Sequence, residues 1–189
     1  MHYVTAKSIL SASNGMNLYR GCTQGCIYCD SRSLCYHMNH AFEDIEVKQN
    51  ALELLEDSLK RKRTKGMIGT GAMTDPYIPL EKELQYVRKS LLLAEKYGFG
   101  FTLITKSAQV LRDLDILKSI NAKTKCVVQM NIHYYGTRYI LSSPNKRRLM
   151  ELFNRICDKY NIVHDNNQIF EYLRTYEEKE EQLSLFDFM

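Results

Sequence analysis

Three cysteines lie close together near the start of the chain, at Cys22, Cys26 and Cys29. Three thiolates on one short loop can each bind one iron of a cubane iron–sulfur cluster. Such clusters normally take four cysteines, so a set of three leaves the fourth iron without a protein ligand. An open coordination position distinguishes catalytic from structural metal sites, because a substrate can bind there. The loop therefore predicts a 4Fe–4S cluster with one iron open to a substrate.

A zinc site is the alternative interpretation of the same loop. Cys35, His37 and His40 follow it closely in the sequence. The three loop cysteines with Cys35 or His37 would make a Cys/His zinc set, and the protein would then be a zinc-binding interaction module. Cys126 and Cys157 lie in apolar segments and are expected to be small core side chains.

The composition is that of an ordinary globular protein. The chain has 189 residues, of which 44% are hydrophobic and 25% charged, enough for a domain with a real core. The net charge of +4 permits a nucleic-acid partner without arguing for one. The first residues hold no apolar run typical of a signal peptide, and no stretch reaches the length of a membrane span. We therefore expect a cytoplasmic location without membrane association, where reducing conditions suit a cluster.

Strands and helices alternate through the first two thirds of the sequence. Short apolar segments predict buried strands at 66–73, 101–105 and 126–130, and amphipathic segments predict helices at 50–63, 84–98 and 110–120. This alternation predicts a parallel sheet built from βα units. A weakly alternating segment at 3–10 predicts one more strand before the cysteine loop. Glycines at the end of the 66–73 segment predict a close backbone approach there.

The sequence suggests three regions with different character. Residues 1–132 carry the βα pattern, and residues 133–175 form a helical C-terminal extension with an amphipathic helix at 149–156. Residues 176–189 are charged at first and predict a flexible tail.

The cysteine spacing, with an aromatic residue before the third cysteine, resembles the cluster loop of the radical S-adenosylmethionine (SAM) enzymes. Residues 17–22, 29–33, 69–77 and 105–107 resemble, within that superfamily, the proteins related to spore photoproduct lyase. The resemblance covers most of 1–131. It implies an α/β fold, an incomplete TIM-like radical SAM barrel with parallel strands. It also implies a 4Fe–4S cluster, SAM and a reducing electron donor, with reductive cleavage of SAM to a 5′-deoxyadenosyl radical in a lyase-like reaction.

The resemblance also assigns roles to individual residues. It makes the three loop cysteines the cluster ligands, and it places Tyr28 beside the SAM adenine. It places Thr74, at the end of the second strand, in contact with SAM, and Lys106, at the end of the third strand, near the SAM carboxylate. The chemistry agrees, because ligands of parallel sheets bind at the carboxyl ends of the strands and an ammonium suits a carboxylate.

The sequence departs from the pattern of this group at a position that bears on the substrate. Spore photoproduct lyase uses a cysteine of its second-strand motif as a hydrogen-atom donor, and the aligned residue here is Ala72. A methyl group cannot take over thiol radical chemistry. Thymine-dimer repair by that route is therefore not expected, and the substrate is open, with DNA as a candidate.

A second departure concerns the barrel. Residues from about 134 onward resemble the C-terminal end of the group, so the later barrel strands are missing between about 129 and 134. A βα unit takes about 30 residues, and our hypothesis is an internal deletion. The strand at 127–130 would then lose its outer neighbour, which predicts self-association through an uncovered edge.

The tail carries a second signal. Gln182, Leu183, Leu185 and Phe186 resemble the short motif by which bacterial repair and replication proteins bind the sliding clamp. Such motifs bind as extended peptides whose apolar side chains enter preformed pockets. The alternative is that these side chains pack back on the domain as a terminal strap. The alternative to an enzyme is a non-catalytic protein that still binds an iron–sulfur cluster, as a remnant of an enzyme, and acts through this tail.

Overall fold

The structure is a computed structural model, and it describes residues 1–26, 29–130 and 146–174. The chain divides into two compact units. The described residues of the first unit end at Met130, and those of the second unit are 146–174.

Seven strands are present among the described residues of the first unit. They are β1 His2–Val4, β2 Gly15–Met16, β3 Tyr19–Arg20, β4 Glu46–Lys48, β5 Met67–Thr70, β6 Gly100–Thr105 and β7 Cys126–Met130. Four of them form one sheet in the order β2-β5-β6-β7, and every neighbouring pair is parallel. The prediction of a parallel sheet is confirmed. Among the described residues this sheet is open and does not close into a barrel, which agrees with the expected incomplete TIM-like fold.

The first strand of the parallel sheet differs from the prediction. We expected it within 3–10, but Gly15–Met16 pairs with β5 instead, in register with Gly69 and Thr70. His2–Val4 belongs to a separate three-stranded sheet, where it runs parallel to β4, and β3 runs antiparallel to β4. A strand of two residues has no periodicity to detect, so only its partner strand identifies it.

The helices of the first unit pack against the parallel sheet and against one another. In the first unit they are α1 Ala51–Arg61, α2 Glu81–Leu84, α3 Tyr86–Lys96 and α4 Leu114–Lys123. Helix α1 packs against α3, α3 packs against β6 and α4, and α4 packs against β6 and β7. The buried faces repeat every three or four residues, as in α1, where Ala51, Leu55 and Leu59 are fully buried.

The start of α3 has a specific cause. The predicted helix at 84–98 is interrupted at Gln85, which has a positive φ of 53°. The carboxylate of Glu81 accepts hydrogen bonds from the backbone N–H groups of Tyr86 and Val87, both at 3.0 Å. These are amides that a helix leaves unpaired at its N-terminus. A new helix therefore begins at Tyr86, with a carboxylate at its positive end.

The second unit contains two helices among its described residues, α5 Lys146–Lys159 and α6 Asn166–Arg174. The amphipathic helix predicted at 149–156 is confirmed as the central part of α5. In the described parts of the chain, no helix is both long and apolar enough to span a membrane.

Candidate active site

The cysteine loop is fixed to the segment that precedes β4. The backbone N–H of Cys22 donates a hydrogen bond of 2.9 Å to the carbonyl oxygen of Phe42. Gly21 has a φ of +89°, and a Cβ on it would lie only 2.5 Å from the same carbonyl oxygen. Glycine is required here because it accepts this φ and leaves room for the carbonyl. The beginning of the loop is therefore held by the backbone itself.

Asp75 connects the cysteine loop to the carboxyl ends of two parallel strands. It follows β5, and its carboxylate accepts hydrogen bonds from Thr105 Oγ1 at 2.7 Å and from the Lys106 backbone N–H at 2.8 Å, both at the end of β6. The same carboxylate accepts from the Tyr77 backbone N–H at 2.9 Å, and Gln24 of the cysteine loop approaches at 3.4 Å. One side chain thus joins three segments that are far apart in sequence.

The sequence analysis assigned a site role to Thr74 but none to its neighbour Asp75. The signal was available, because an Asp-Pro pair favours a turn in which the carboxylate accepts from the backbone two residues on. Thr74 itself is 5% exposed and follows β5 as expected. Ala72 is exposed beyond the end of the same strand.

Lys106 lies directly beside the cysteine loop. Its Nζ is 3.0 Å from Sγ of Cys26. We expected Lys106 at the end of the third predicted strand near the SAM carboxylate, and it lies at that strand end. The structure therefore brings together two residues that are 80 positions apart and that sequence analysis placed in one site.

All six cysteines are free thiols. Cys22 is buried, and its burial raises the pKa of its thiol, whereas Cys26 and Cys29 are half-buried. Tyr28, the predicted neighbour of the SAM adenine, lies outside the described residues.

The cysteine loop offers thiolates, the ligands that hold iron–sulfur clusters. A zinc ion binds all its ligands at one centre, whereas a cubane binds each cysteine through a different iron. Within the described ranges, the group of His, Cys, Asp and Glu side chains close enough to hold one ion is His2, His40 and Asp44, and it contains no cysteine. The loop cysteines do not form a single-ion site with Cys35 or His37 there. The free thiols of Cys22, Cys26 and Cys29, with Lys106 next to Cys26, fit a 4Fe–4S cluster.

A cleft opens next to the cysteine loop. Thr23 and Gln24 of the loop line one side, Tyr77 and Lys82 line a second, and Ser107 with Gln109 lines a third. It therefore borders the carboxyl ends of β5 and β6, where ligands of parallel sheets bind.

A buried charge network supports the segments around this cleft. Arg112 bridges two fully buried carboxylates, at 3.0 Å from Glu81 and 2.8 Å from Asp113. Tyr19, just before the cysteine loop, donates to Glu81 at 2.5 Å, and Tyr77 donates to Asp113 at 3.0 Å. Such charges stay buried only when each is paired. The network joins the approach to the cysteine loop to the segments after β5 and β6.

The pKa values of the two carboxyl groups in this network shift in opposite directions. Burial raises the pKa of Glu81, and the hydrogen bonds from Tyr19 and Arg112 do not overcome it. Burial also acts to raise the pKa of Asp113, but Arg112, Arg88 and Tyr77 together hold it below its usual value. Sequence analysis missed both residues, because helical periodicity gives no sign that a carboxylate is buried.

A comparison with protein families decides the broad class. The sequence profile of the radical SAM superfamily matches residues 16–176, most of the chain. The chain belongs to the radical SAM superfamily. Proteins of this superfamily generally bind a 4Fe–4S cluster and SAM. The superfamily and the α/β fold were both predicted from sequence, and both are confirmed.

One relative among curated proteins is the uncharacterized protein MJ0683 of Methanocaldococcus jannaschii. It is 32% identical to this radical SAM protein over 121 residues, which cover 63% of this chain. The alignment covers 45% of the relative, so this chain spans less than half of the relative's length. No solved structure matches the chain significantly.

Proposed function

We propose that this radical SAM protein binds a 4Fe–4S cluster through Cys22, Cys26 and Cys29 and cleaves SAM reductively. The observation that supports this most is the 3.0 Å contact between Lys106 Nζ and Cys26 Sγ at the carboxyl ends of the parallel strands. When bound, the cluster and SAM supply an electron and a 5′-deoxyadenosyl radical that abstracts a hydrogen atom from a substrate.

The protein's own residues have positioning and binding roles in this proposal. Asp75 holds the backbone of Lys106 and the side chain of Gln24, so it keeps the lysine beside the cysteine loop. Lys106 offers its ammonium to the SAM carboxylate, while Thr74 and Tyr28 contact the rest of SAM. The cleft beside the loop, bordered by Ser107 and Lys82, gives the substrate access. An external electron donor supplies the reducing equivalent.

The test is anaerobic reconstitution with iron and sulfide, followed by reduction in the presence of SAM. We expect about four irons per chain, and 5′-deoxyadenosine as product. Cys26→Ala should lose the cluster, because one of three local ligands is gone. Cys157→Ala is the matched control: Cys157 lies in α5 of the second unit, and its variant should keep iron, sulfide and SAM cleavage.

Each outcome points to a different function. Iron and sulfide without SAM cleavage would support the non-catalytic remnant, which the open four-stranded sheet favours. Binding of zinc alone by the loop cysteines would contradict the cluster. Equal iron content in the two cysteine variants would refute the ligand assignment.

We further propose that the protein is related to spore photoproduct lyase, that it is located in the cytoplasm and that its substrate is DNA. This proposal is supported by the resemblance of residues 69–77 and 105–107 to that group. Ala72 excludes a thiol donor at its position, so we propose a lyase-like or other hydrogen-abstracting reaction that differs from thymine-dimer repair. Deuterium passing from deuterated DNA into 5′-deoxyadenosine would support a DNA substrate, and its absence would contradict one.

We also propose that the tail binds a bacterial sliding clamp. The anchors are Leu183, Leu185 and Phe186, with Gln182 as the polar contact, and all of them lie outside the described residues. A buried aromatic anchor typically carries at least about 2 kcal/mol of binding free energy. Phe186→Ala should therefore raise the dissociation constant for the clamp at least about 30-fold, which lowers the recovery of the clamp in a pulldown. Phe188→Ala, outside the motif, is the control, and equal recovery with both variants would end the proposal.

A further inference from the structure

A second group of metal-binding side chains lies outside the cysteine loop. His2 of β1, His40 and Asp44 each present one ligand atom, and these three atoms lie within 4.8 Å of one another. The imidazole rings of His2 and His40 meet edge to face, with 4.8 Å between their centroids. Nδ1 of His2 is 3.0 Å from Oδ2 of Asp44. Two imidazoles and a carboxylate are a common ligand set for zinc.

One ring nitrogen of His40 has a hydrogen-bond partner and the other has none. Nδ1 lies 3.0 Å from the backbone carbonyl oxygen of Ala41, which can only accept, so Nδ1 is the donor. Nε2 is buried and has no hydrogen-bond partner. The carboxylate of Glu46 is 3.6 Å from it, too far for a hydrogen bond. A histidine that donates one ring N–H to a carbonyl and keeps the other nitrogen bare is in the state that a metal ligand needs.

The three ligand atoms lie close enough to share one ion after their side chains adjust. Bonds of about 2.0–2.1 Å at a tetrahedral zinc separate neighbouring ligand atoms by about 3.3 Å. Nδ1 of His2 and Oδ2 of Asp44, 3.0 Å apart, are already near this value. All three ligand atoms lie within 4.8 Å of one another, so His40 has to move closer to the other two to share an ion with them. We propose that His2, His40 and Asp44 bind a zinc ion.

Such an ion would act on the cysteine loop through the backbone. It would join the start of β1 to the segment 40–46, and that segment contains Phe42, whose carbonyl oxygen accepts the hydrogen bond from the Cys22 N–H. The ion therefore stabilises the segment that carries the start of the cysteine loop.

The experiment uses the full chain with its cluster reconstituted and without a polyhistidine tag. The protein is incubated with zinc chloride, passed through gel filtration and analysed for zinc by mass spectrometry. We expect one zinc per chain in the wild type and in His37→Asn, and none in His40→Asn or Asp44→Asn. His37 is a matched control, since it lies three residues from His40 but outside the group, and asparagine tolerates its φ of 49°.

Two further measurements keep the proposal falsifiable if a variant fails to fold. X-ray absorption at the zinc edge of the wild type should show nitrogen and oxygen ligands only. Zinc content should also survive in Cys26→Ser, which separates this site from the cysteine loop and from any failure of the proposed function. Sulfur around the zinc, zinc lost with Cys26, or one zinc retained in His40→Asn would each overturn the proposal.

Discussion

At the scale of single residues, the site depends on a few side chains that hold others in place. Asp75 accepts hydrogen bonds from Thr105, from the Lys106 backbone and from Tyr77, so the position of the lysine is set by a carboxylate next to Thr74. Sequence reasoning identified the residues with evident chemistry, the cysteines and Lys106. It did not identify Asp75, Glu81 or Arg112. These residues act through hydrogen bonds that form only when distant loops meet.

Lys106→Met tests whether this lysine binds the carboxylate of SAM. Methionine keeps most of the length but removes the charge, and losing a charged hydrogen bond costs about 1.5–3 kcal/mol. The KM for SAM in 5′-deoxyadenosine formation should rise by about 10- to 150-fold, while iron content stays unchanged. Lys82→Met, in the adjoining cleft, should leave the KM nearly unchanged. A lost cluster or an unchanged KM in Lys106→Met would contradict the role.

At the scale of elements, β5 and β6 must approach closely for their loops to share one site. Gly71 follows β5 with a φ of +98°, and a Cβ there would lie 2.0 Å from the carbonyl oxygen of Ile104 in β6. The close backbone approach predicted at the end of 66–73 is therefore confirmed. The contact is between backbones, so no neighbouring side chain can move aside to relieve it.

Gly71→Ala and Gly98→Ala separate steric overlap from backbone strain. Both glycines have positive φ, but nothing lies within 4 Å of a Cβ at Gly98. Gly98→Ala should cost about 1–2 kcal/mol of the free energy of unfolding, the strain of a left-handed alanine. Gly71→Ala adds overlap with a fixed carbonyl, and we expect a loss above about 4 kcal/mol. Urea denaturation measures both, and equal losses would show that β5 and β6 can separate there.

At the scale of the whole chain, the described part of the parallel sheet ends at β7, which pairs there with β6 alone. Val128 and Met130 are 37% and 38% exposed, although they pair in register with the buried Leu103 and Thr105 of β6. An apolar edge strand without a neighbour is a surface on which another strand can add. This supports the proposal that the protein associates with a second copy of itself.

Val128→Lys tests this association. A lysine on the edge strand places like charges opposite each other in a symmetric pair, so the dimer dissociation constant should rise at least about 10-fold. Leu34→Lys is the control, because Leu34 is 91% exposed and lies outside the sheets. Gel filtration with light scattering at several concentrations measures the change. A wild type that stays monomeric at all concentrations, with normal turnover, would rule out the association.

The sequence alone determined the properties that depend on local order. The cysteine spacing and the alternation of apolar segments indicated the superfamily and the parallel sheet, because ligand spacing and periodicity are carried by neighbouring residues. The strand at 126–130 has the same bounds in the structure. The tertiary structure alone decided that Gly15–Met16 is the first strand of the sheet, that Asp75 orders three loops and that His2 meets His40. Each of these depends on a partner 30 or more residues away, and no local pattern records such a partner.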